Sequence, residues 1–204
     1  MERMGNYENQ EVGVQIDKYN NLSLLKNDFE KQIQKYTTQD QDLIKKAYIL
    51  GEINHEGQTR DEGSPYFTHC LAVAVMAMEA NESANFVCAA FLHDTLEDTE
   101  IEIDELNNIF DQEVLELITL VSKKLPGKEK LDESIYFQQI SANTNASKLK
   151  GYDRLCNILS LELSPQIGKK EKYILETKEK ILPLLEQSPE LKNKIITVLN
   201  YLEN

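Results

Sequence analysis

No stretch of this chain comes near the roughly 18–20 consecutive apolar residues that a membrane-crossing helix needs, which excludes a helical span. The opening residues, MERMGNYENQEVG, lack the apolar run of a secretory signal. Cysteine is scarce as well. Cys70, Cys88 and Cys156 stand far apart with no CxxC spacing, which argues against a disulfide framework and for reduced thiols in a cytoplasmic protein. Cys70 and Cys88 read as small apolar core fillers. Positive charge is short too: 22 Lys and Arg face 35 Asp and Glu, for a net charge of −13, and no basic run occurs. A general nucleic-acid binder is therefore not expected, because such binding depends on clustered phosphate contacts. A small anionic ligand stays open, since a bound metal reverses the local sign.

What is present is enough apolar material for one sizeable core: 41% of 204 residues. Residues 1–20 are polar and without periodicity, so a flexible N-terminal arm is expected there, with a single domain over 21–204. The periodicity of Leu24, Leu25, Phe29, Ile33 and Tyr36 predicts an amphipathic helix over 22–36, and a second follows over about 41–56. GQTRDEGSPYFTH reads as an ordered loop. Leu71, Ala74, Val75 and Met78 share a face of a third helix after Pro65. Ser83 is a plausible N-cap for a fourth, ANFVCAAFLHDTLEDT, which is apolar nearly all round through Leu92 and should cross the centre of the core. Further helices are expected over 102–110, 112–123, 132–142, 145–162, 168–186 and 189–202, with SKKLPGKEK as a loop and with Pro183 either tolerated near the end of the 168–186 helix or marking a break in it. No segment alternates as a strand and no repeat is present. The fold class expected is all-α, a single-domain helical bundle.

Histidine is as scarce as cysteine, with three in the chain, and two stand in unusual company. His93 and Asp94 end the most apolar helix and are followed by Glu97 and Asp98. On a continuous helix these four project into a sector roughly 140° wide. Carboxylates and an imidazole crowded there repel one another and resist desolvation unless a cation or strong hydrogen bonds compensate. Imidazole and carboxylate donors suit a first-row divalent ion such as Mn, Fe or Zn better than Ca or Mg. The competing reading is a solvated acidic helix end, although carboxylates at a C-terminus oppose the helix dipole. His69 opens the third helix, and Asp153 and Asn157 lie one turn apart in SKLKGYDRLCNILSL. Each also has a plain alternative: a capping His, or an Asp paired with Arg154.

Taken together, HEGQTRDEGSPYFTHCLAVA, FLHDTLEDT and the later KGYDRLCNI resemble the HD-domain hydrolases of Rel/Spo-type alarmone enzymes. The pattern shared is H-x-G-Q-x-R, G-x-P-Y-x-x-H, HD-x-x-ED and a D-R-L-x-N, over about residues 38–185. In size the chain is similar to the small stand-alone alarmone hydrolases. The resemblance implies an HD-type helical bundle in which His69, His93, Asp94 and Asp153 ligate one divalent transition metal per chain, usually Mn²⁺. It implies that Glu97 and Asp98 position or deprotonate the attacking water, that Arg60 meets the nucleotide, that Tyr66 shapes the pocket and that Asn157 faces the ribose. The reaction implied is removal of the 3′-pyrophosphate from (p)ppGpp, in the cytoplasm, by a hydrolase without a synthetase domain. No nucleic acid or membrane partner is expected, and homo-oligomerisation is left open.

The departures fall around the nucleotide. Asp61 and Glu62 follow Arg60 where the family usually has a basic or small residue. Tyr152 and Cys156 replace Ala and His of the later motif, and Gly151 is expected to loosen the helix before Asp153. The acidic pair favours a sister activity on another nucleotide or phosphorylated metabolite, and a non-catalytic nucleotide-sensing module is the alternative of another class. His55 reads as a structural helix-end residue. Arg60 has its own alternative, a salt bridge with Glu56, Asp61 or Glu62.

Overall fold

In the computed structural model, which describes residues 2–166 and 168–204 and side chains from residue 9 onward, the described residues form twelve α-helices. They are α1 (Glu2–Tyr19), α2 (Leu22–Gln32), α3 (Thr38–Asn54), α4 (Phe67–Glu79), α5 (Ala84–Leu92), α6 (Thr95–Asp98), α7 (Ile103–Asn107), α8 (Gln112–Val121), α9 (Glu133–Ser141), α10 (Thr144–Leu159), α11 (Lys169–Glu176) and α12 (Pro189–Glu203). Among the described residues there is no strand, only an isolated bridge between Thr59 and Pro65. No described helix is long and apolar enough to cross a membrane. The all-α expectation holds.

Starts of helices follow from side-chain oxygens placed one residue early. Asn21, Thr37, Ser83 and Asn143 each accept a hydrogen bond from a first-turn amide, satisfying donors the helix leaves unpaired. Helices α4 and α5 are apolar on every side, and all their residues from Phe67 to Met78 and from Phe86 to Leu92 are buried. Helix α5 packs against α3, α4 and α8, and α10 packs against α4, α8, α9 and α12. These three helices, α4, α5 and α10, form the centre on which the polar groups described below are mounted.

Four expectations need correction. Residues 9–19, expected in a loose arm, are helical, and Val12, Ile16 and Tyr19 are buried. Three apolar residues on one helical face sufficed, with Tyr19 Oη donating to Glu79 at 2.6 Å and Lys18 paired with Asp28 and Glu79. Met1 lies outside the described residues. Second, the helix expected over 84–99 breaks at His93–Asp94 into α5 and α6. His93 Nδ1 donates to the Ala90 carbonyl at 2.8 Å, and Thr95 Oγ1 to the Leu92 carbonyl at 2.7 Å. Both carbonyls are ones a continuing helix would have used, so side chains compete with the backbone ladder there.

Third, the helix expected over 168–186 runs as α11 only to Glu176, then widens to a π turn (Thr177–Ile181) and tightens to a 3₁₀ turn (Leu182–Leu185). Pro183 lacks an amide proton and its ring crowds the preceding turn, which accounts for the break. Fourth, Gly151 does not loosen α10. A Cβ there would lie 2.8 Å from methyl groups of both Leu185 and Leu191, so glycine permits close packing.

Gly51 is under the same constraint against harder material: its Cβ would lie 2.9 Å from the Phe91 carbonyl oxygen. Gly51→Ala should destabilise the protein by roughly 1–3 kcal/mol. Gly13→Ala, with nothing within 4 Å, should stabilise it by up to about 1 kcal/mol. Denaturant unfolding of the two variants checks the contrast, and equal effects would contradict it.

Candidate metal and phosphate site

His69 lies in the first turn of α4, His93 caps the end of α5, Asp94 sits in the break that follows, and Asp153 faces them from the middle of α10. Their polar atoms converge. The two Nε2 atoms are 3.1 Å apart, His69 Nε2 lies 3.2 Å from Asp153 Oδ1 and 3.5 Å from Asp94 Oδ2, and His93 Nε2 lies 3.1 Å from Asp94 Oδ2. Donor atoms of His69, His93 and Asp153 all fall within 4.8 Å of one another.

A ring of partners orients each of the four. The Ala90 carbonyl requires His93 to carry a proton on Nδ1, which turns Nε2 inward. His69 Nδ1 faces Cys156 Sγ at 3.2 Å. Tyr66 Oη lies 2.7 Å from Asp94 Oδ2 and 3.3 Å from Asp98 Oδ2, and its ring stacks on His55 with centroids 4.8 Å apart. Asn157 Nδ2 donates to Asp153 Oδ1 at 2.6 Å, and Lys150 Nζ donates to Asp153 Oδ2 at 2.7 Å. Glu97 accepts from the Lys123 amide at 2.8 Å. So the break in the helix leaves Glu97 beside the loop after α8, while Asp98, one turn past Asp94, stays with Tyr66.

Charge explains the titration of the group. Burial pushes His69 down to about 4. Burial also disfavours charge on His93, but the Asp94 carboxylate outweighs it and holds His93 up at about 9. Burial would raise Asp94 and Asp153; His93 for the first, and Lys150 with the histidines for the second, hold them well below the ordinary carboxylate range. Burial and the neighbouring charges of Asp94 and Glu97 raise Asp98 to about 6. Without a cation, a proton on His93 stands where positive charge is needed. The donors therefore fit a divalent ion: two imidazole nitrogens aimed inward, two carboxylates kept ionised, and a local excess of negative charge.

These groups form one end of an open cleft of about 280 Å³ whose wall includes Arg60, Asp61, Glu62, Tyr66, Asp94, Glu97, Asp98, Lys123, Lys150, Asp153, Asn157, Ser160, Lys169 and Tyr173. Six carboxylates there face four cationic side chains, an imbalance of two charges that a divalent ion would cancel. Arg60 donates to Glu62 at 3.0 Å and to Ser160 Oγ at 2.7 Å, with Asn157 Oδ1 at 3.5 Å. The salt bridge weighed for Arg60 is present, and the residue still lines the cleft. Asp61 is bound by Lys169 and by Ser164 Oγ at 3.2 Å. His55 is buried at the end of α3. Tyr152 points away from the cleft toward Glu82 and Phe86.

The model of the HD-domain family matches residues 47–155, more than half of the 204 residues, and the chain belongs to that family. It is similar to the probable guanosine-3′,5′-bis(diphosphate) 3′-pyrophosphohydrolase of Mycoplasma genitalium, with 33% identity over 189 residues, 82% of this chain and 26% of that protein. It is similar to the bifunctional (p)ppGpp synthase/hydrolase SpoT of Escherichia coli K12, with 40% identity over 92 residues, 45% of this chain and 13% of that one. The chain spans about a quarter or less of the length of such curated relatives. A solved structure of a metazoan ortholog of SpoT, described as hydrolysing ppGpp, has TM-score 0.69 at 20% identity over 81% of this chain and 96% of that one. That likeness is one of fold.

Lys150 is the strongest addition to the residues picked out from sequence. Its signal was spacing alone, three residues before Asp153 on one helix face. Lys150→Met should destabilise the cation-free protein by about 3 kcal/mol, because it strands a buried carboxylate. Thermal unfolding in chelator measures this, and an unchanged transition would contradict the pairing.

Proposed function

We propose that this chain is a metal-dependent hydrolase that removes the 3′-pyrophosphate from guanosine alarmones, (p)ppGpp, in the cytoplasm, with His69, His93, Asp94 and Asp153 holding one Mn²⁺ per chain. The observation that carries this reading is the meeting of two imidazole Nε2 atoms and two ionised carboxylates at the end of a cleft that also presents Arg60, Lys123, Lys150 and Lys169, in a chain of the HD-domain family. The names of the relatives supply the substrate.

An ion held there would contribute Lewis acidity, offsetting negative charge that builds on the phosphoryl group during attack. Everything else falls to side chains. Asp98, raised to about 6, is matched to accept the proton of the attacking water near neutral pH. Glu97, fixed by the Lys123 amide, aims that water. Tyr66 holds Asp94 and Asp98 in register through its hydroxyl. Arg60 and Asn157, braced by Ser160, face the nucleotide, and Lys150 and Lys123 add positive charge near the scissile phosphate. The water oxygen bonds to the phosphorus attached to the ribose 3′ oxygen, that P–O3′ bond breaks, and the proton taken by Asp98 passes to the departing 3′ oxygen, so that GDP or GTP leaves with pyrophosphate.

The acidic pair after Arg60 favoured a sister activity when read from sequence. In the fold Glu62 is neutralised by Arg60 and Asp61 by Lys169, so the pair adds no free negative charge to the cleft. That supports the alarmone reading.

Protein purified without chelator should carry near one equivalent of metal, and Asp153→Ala should lose most of it. With Mn²⁺, ppGpp should yield GDP and pyrophosphate. Glu97→Gln and Asp98→Asn should keep the metal and the nucleotide while turnover falls by roughly 10²–10⁴-fold. Near-wild-type turnover in both variants would remove the roles given to this pair. Release of orthophosphate from other esters, with no pyrophosphate from any 3′-diphosphorylated nucleotide, would move the assignment to the sister activity.

A further inference from the structure

Three charge pairs line the cleft, and they differ in shielding. The side chains of Arg60 and Glu62 are 10% and 13% exposed and those of Lys150 and Asp153 are 15% and 7%, whereas Lys169 and Asp61 are each 26% exposed. Opening either of the first two strands a charge away from water, which is costly. Opening the third costs little, because water replaces the lost partner on both sides.

The third pair also differs in what it joins. Asp61 belongs to the loop between α3 and α4, and Lys169 begins α11, 108 residues later. Both residues line the cleft, and their contact joins these two segments. The Asp61 side is fixed: Arg60 N donates to the Ser64 carbonyl at 2.9 Å, Gly63 N to the Arg60 carbonyl at 2.9 Å, and Thr59 bridges Pro65. The lysine side is longer and has a second resting place, since Nζ lies 5.4 Å from the centre of the Tyr173 ring. Lys169 beside it, with Ser164, holds the Asp61 carboxyl below its ordinary range, so it is charged at neutral pH.

We propose that Asp61 is a specificity-determining residue: an internal anion that competes with the ligand's phosphates for Lys169 and offsets what that lysine would otherwise gain from each added negative charge on the ligand. The inference rests on the reading that this cleft takes a phosphorylated nucleotide. An entering phosphoryl group takes Lys169 from Asp61, and the displaced carboxylate stays nearby on its fixed loop. Attraction to the lysine and repulsion from the aspartate then nearly cancel. The cleft therefore gains little from additional phosphates, and it selects ligands by their fit to Arg60, Asn157 and the metal end.

The test is calorimetric binding of guanosine 5′-mono-, di- and triphosphate to the metal-loaded chain, with melting temperatures confirming that each variant is folded. Asp61→Asn keeps the shape and an oxygen for Ser164 while removing the charge. It should tighten binding in order of ligand charge, by about fivefold for the triphosphate, and the gain should fade at high salt. Adding Lys169→Met should return triphosphate binding to near the wild-type level. No gain in Asp61→Asn, an equal gain for mono- and triphosphate, or a gain that survives Lys169→Met would each overturn the proposal. Turnover separates it from the proposed reaction. A chain that shows the charge series but releases no pyrophosphate from ppGpp would sink the reaction and leave Asp61's role standing. No nucleotide binding at all would overturn both.

Discussion

Two imidazoles and two carboxylates occupy one point between α4, α5 and α10, and the rest of the structure is arranged to make their burial tolerable. His69, His93 and Asp153 are at most 5% exposed, where uncompensated charge costs several kcal/mol. Compensation comes from every side: Lys150 for Asp153, Tyr66 for Asp94, the Ala90 carbonyl for His93. The interruption of α5 follows from the same demand. Without it, His93 and Asp94 would project from the helix at an angle of about 100° to each other; with it, both reach the same point.

Much of the fold was legible because most of its helices carry a strong apolar pattern and several are capped by side chains whose chemistry is local. Ser83 and the apolar run to Leu92 could be read directly, and α5 follows them. What was not legible depended on distant partners. Val12, Ile16 and Tyr19 are too few to announce a helix in a polar segment, and they form one because α2, α4, α10 and α12 offer a surface. Gly151 looked like a weakness in α10, and only Leu185 and Leu191 reveal it as a contact point.

The site divides in the same way. Histidine and aspartate on otherwise apolar segments stood out by their chemistry, and the fold brings His69, His93, Asp94 and Asp153 together from three helices. The residues that tune them were hidden. Cys156 reads only as a replacement for the histidine of the later motif until His69 is found 3.2 Å away. Asp61 reads as a charge misplaced beside a phosphate site until Lys169 is found beside it. No local pattern in the sequence could have paired residues 108 positions apart.

The buried group calls for a single cation to complete it. Diffraction from crystals grown with Mn²⁺, collected at the manganese absorption edge, tests that claim most directly. One anomalous peak per chain, enclosed by Nε2 of His69 and His93 and by carboxylate oxygens of Asp94 and Asp153, is the predicted result. No peak there in fully loaded crystals, or a peak held instead by the exposed carboxylates around Glu100 and Glu102, would contradict it.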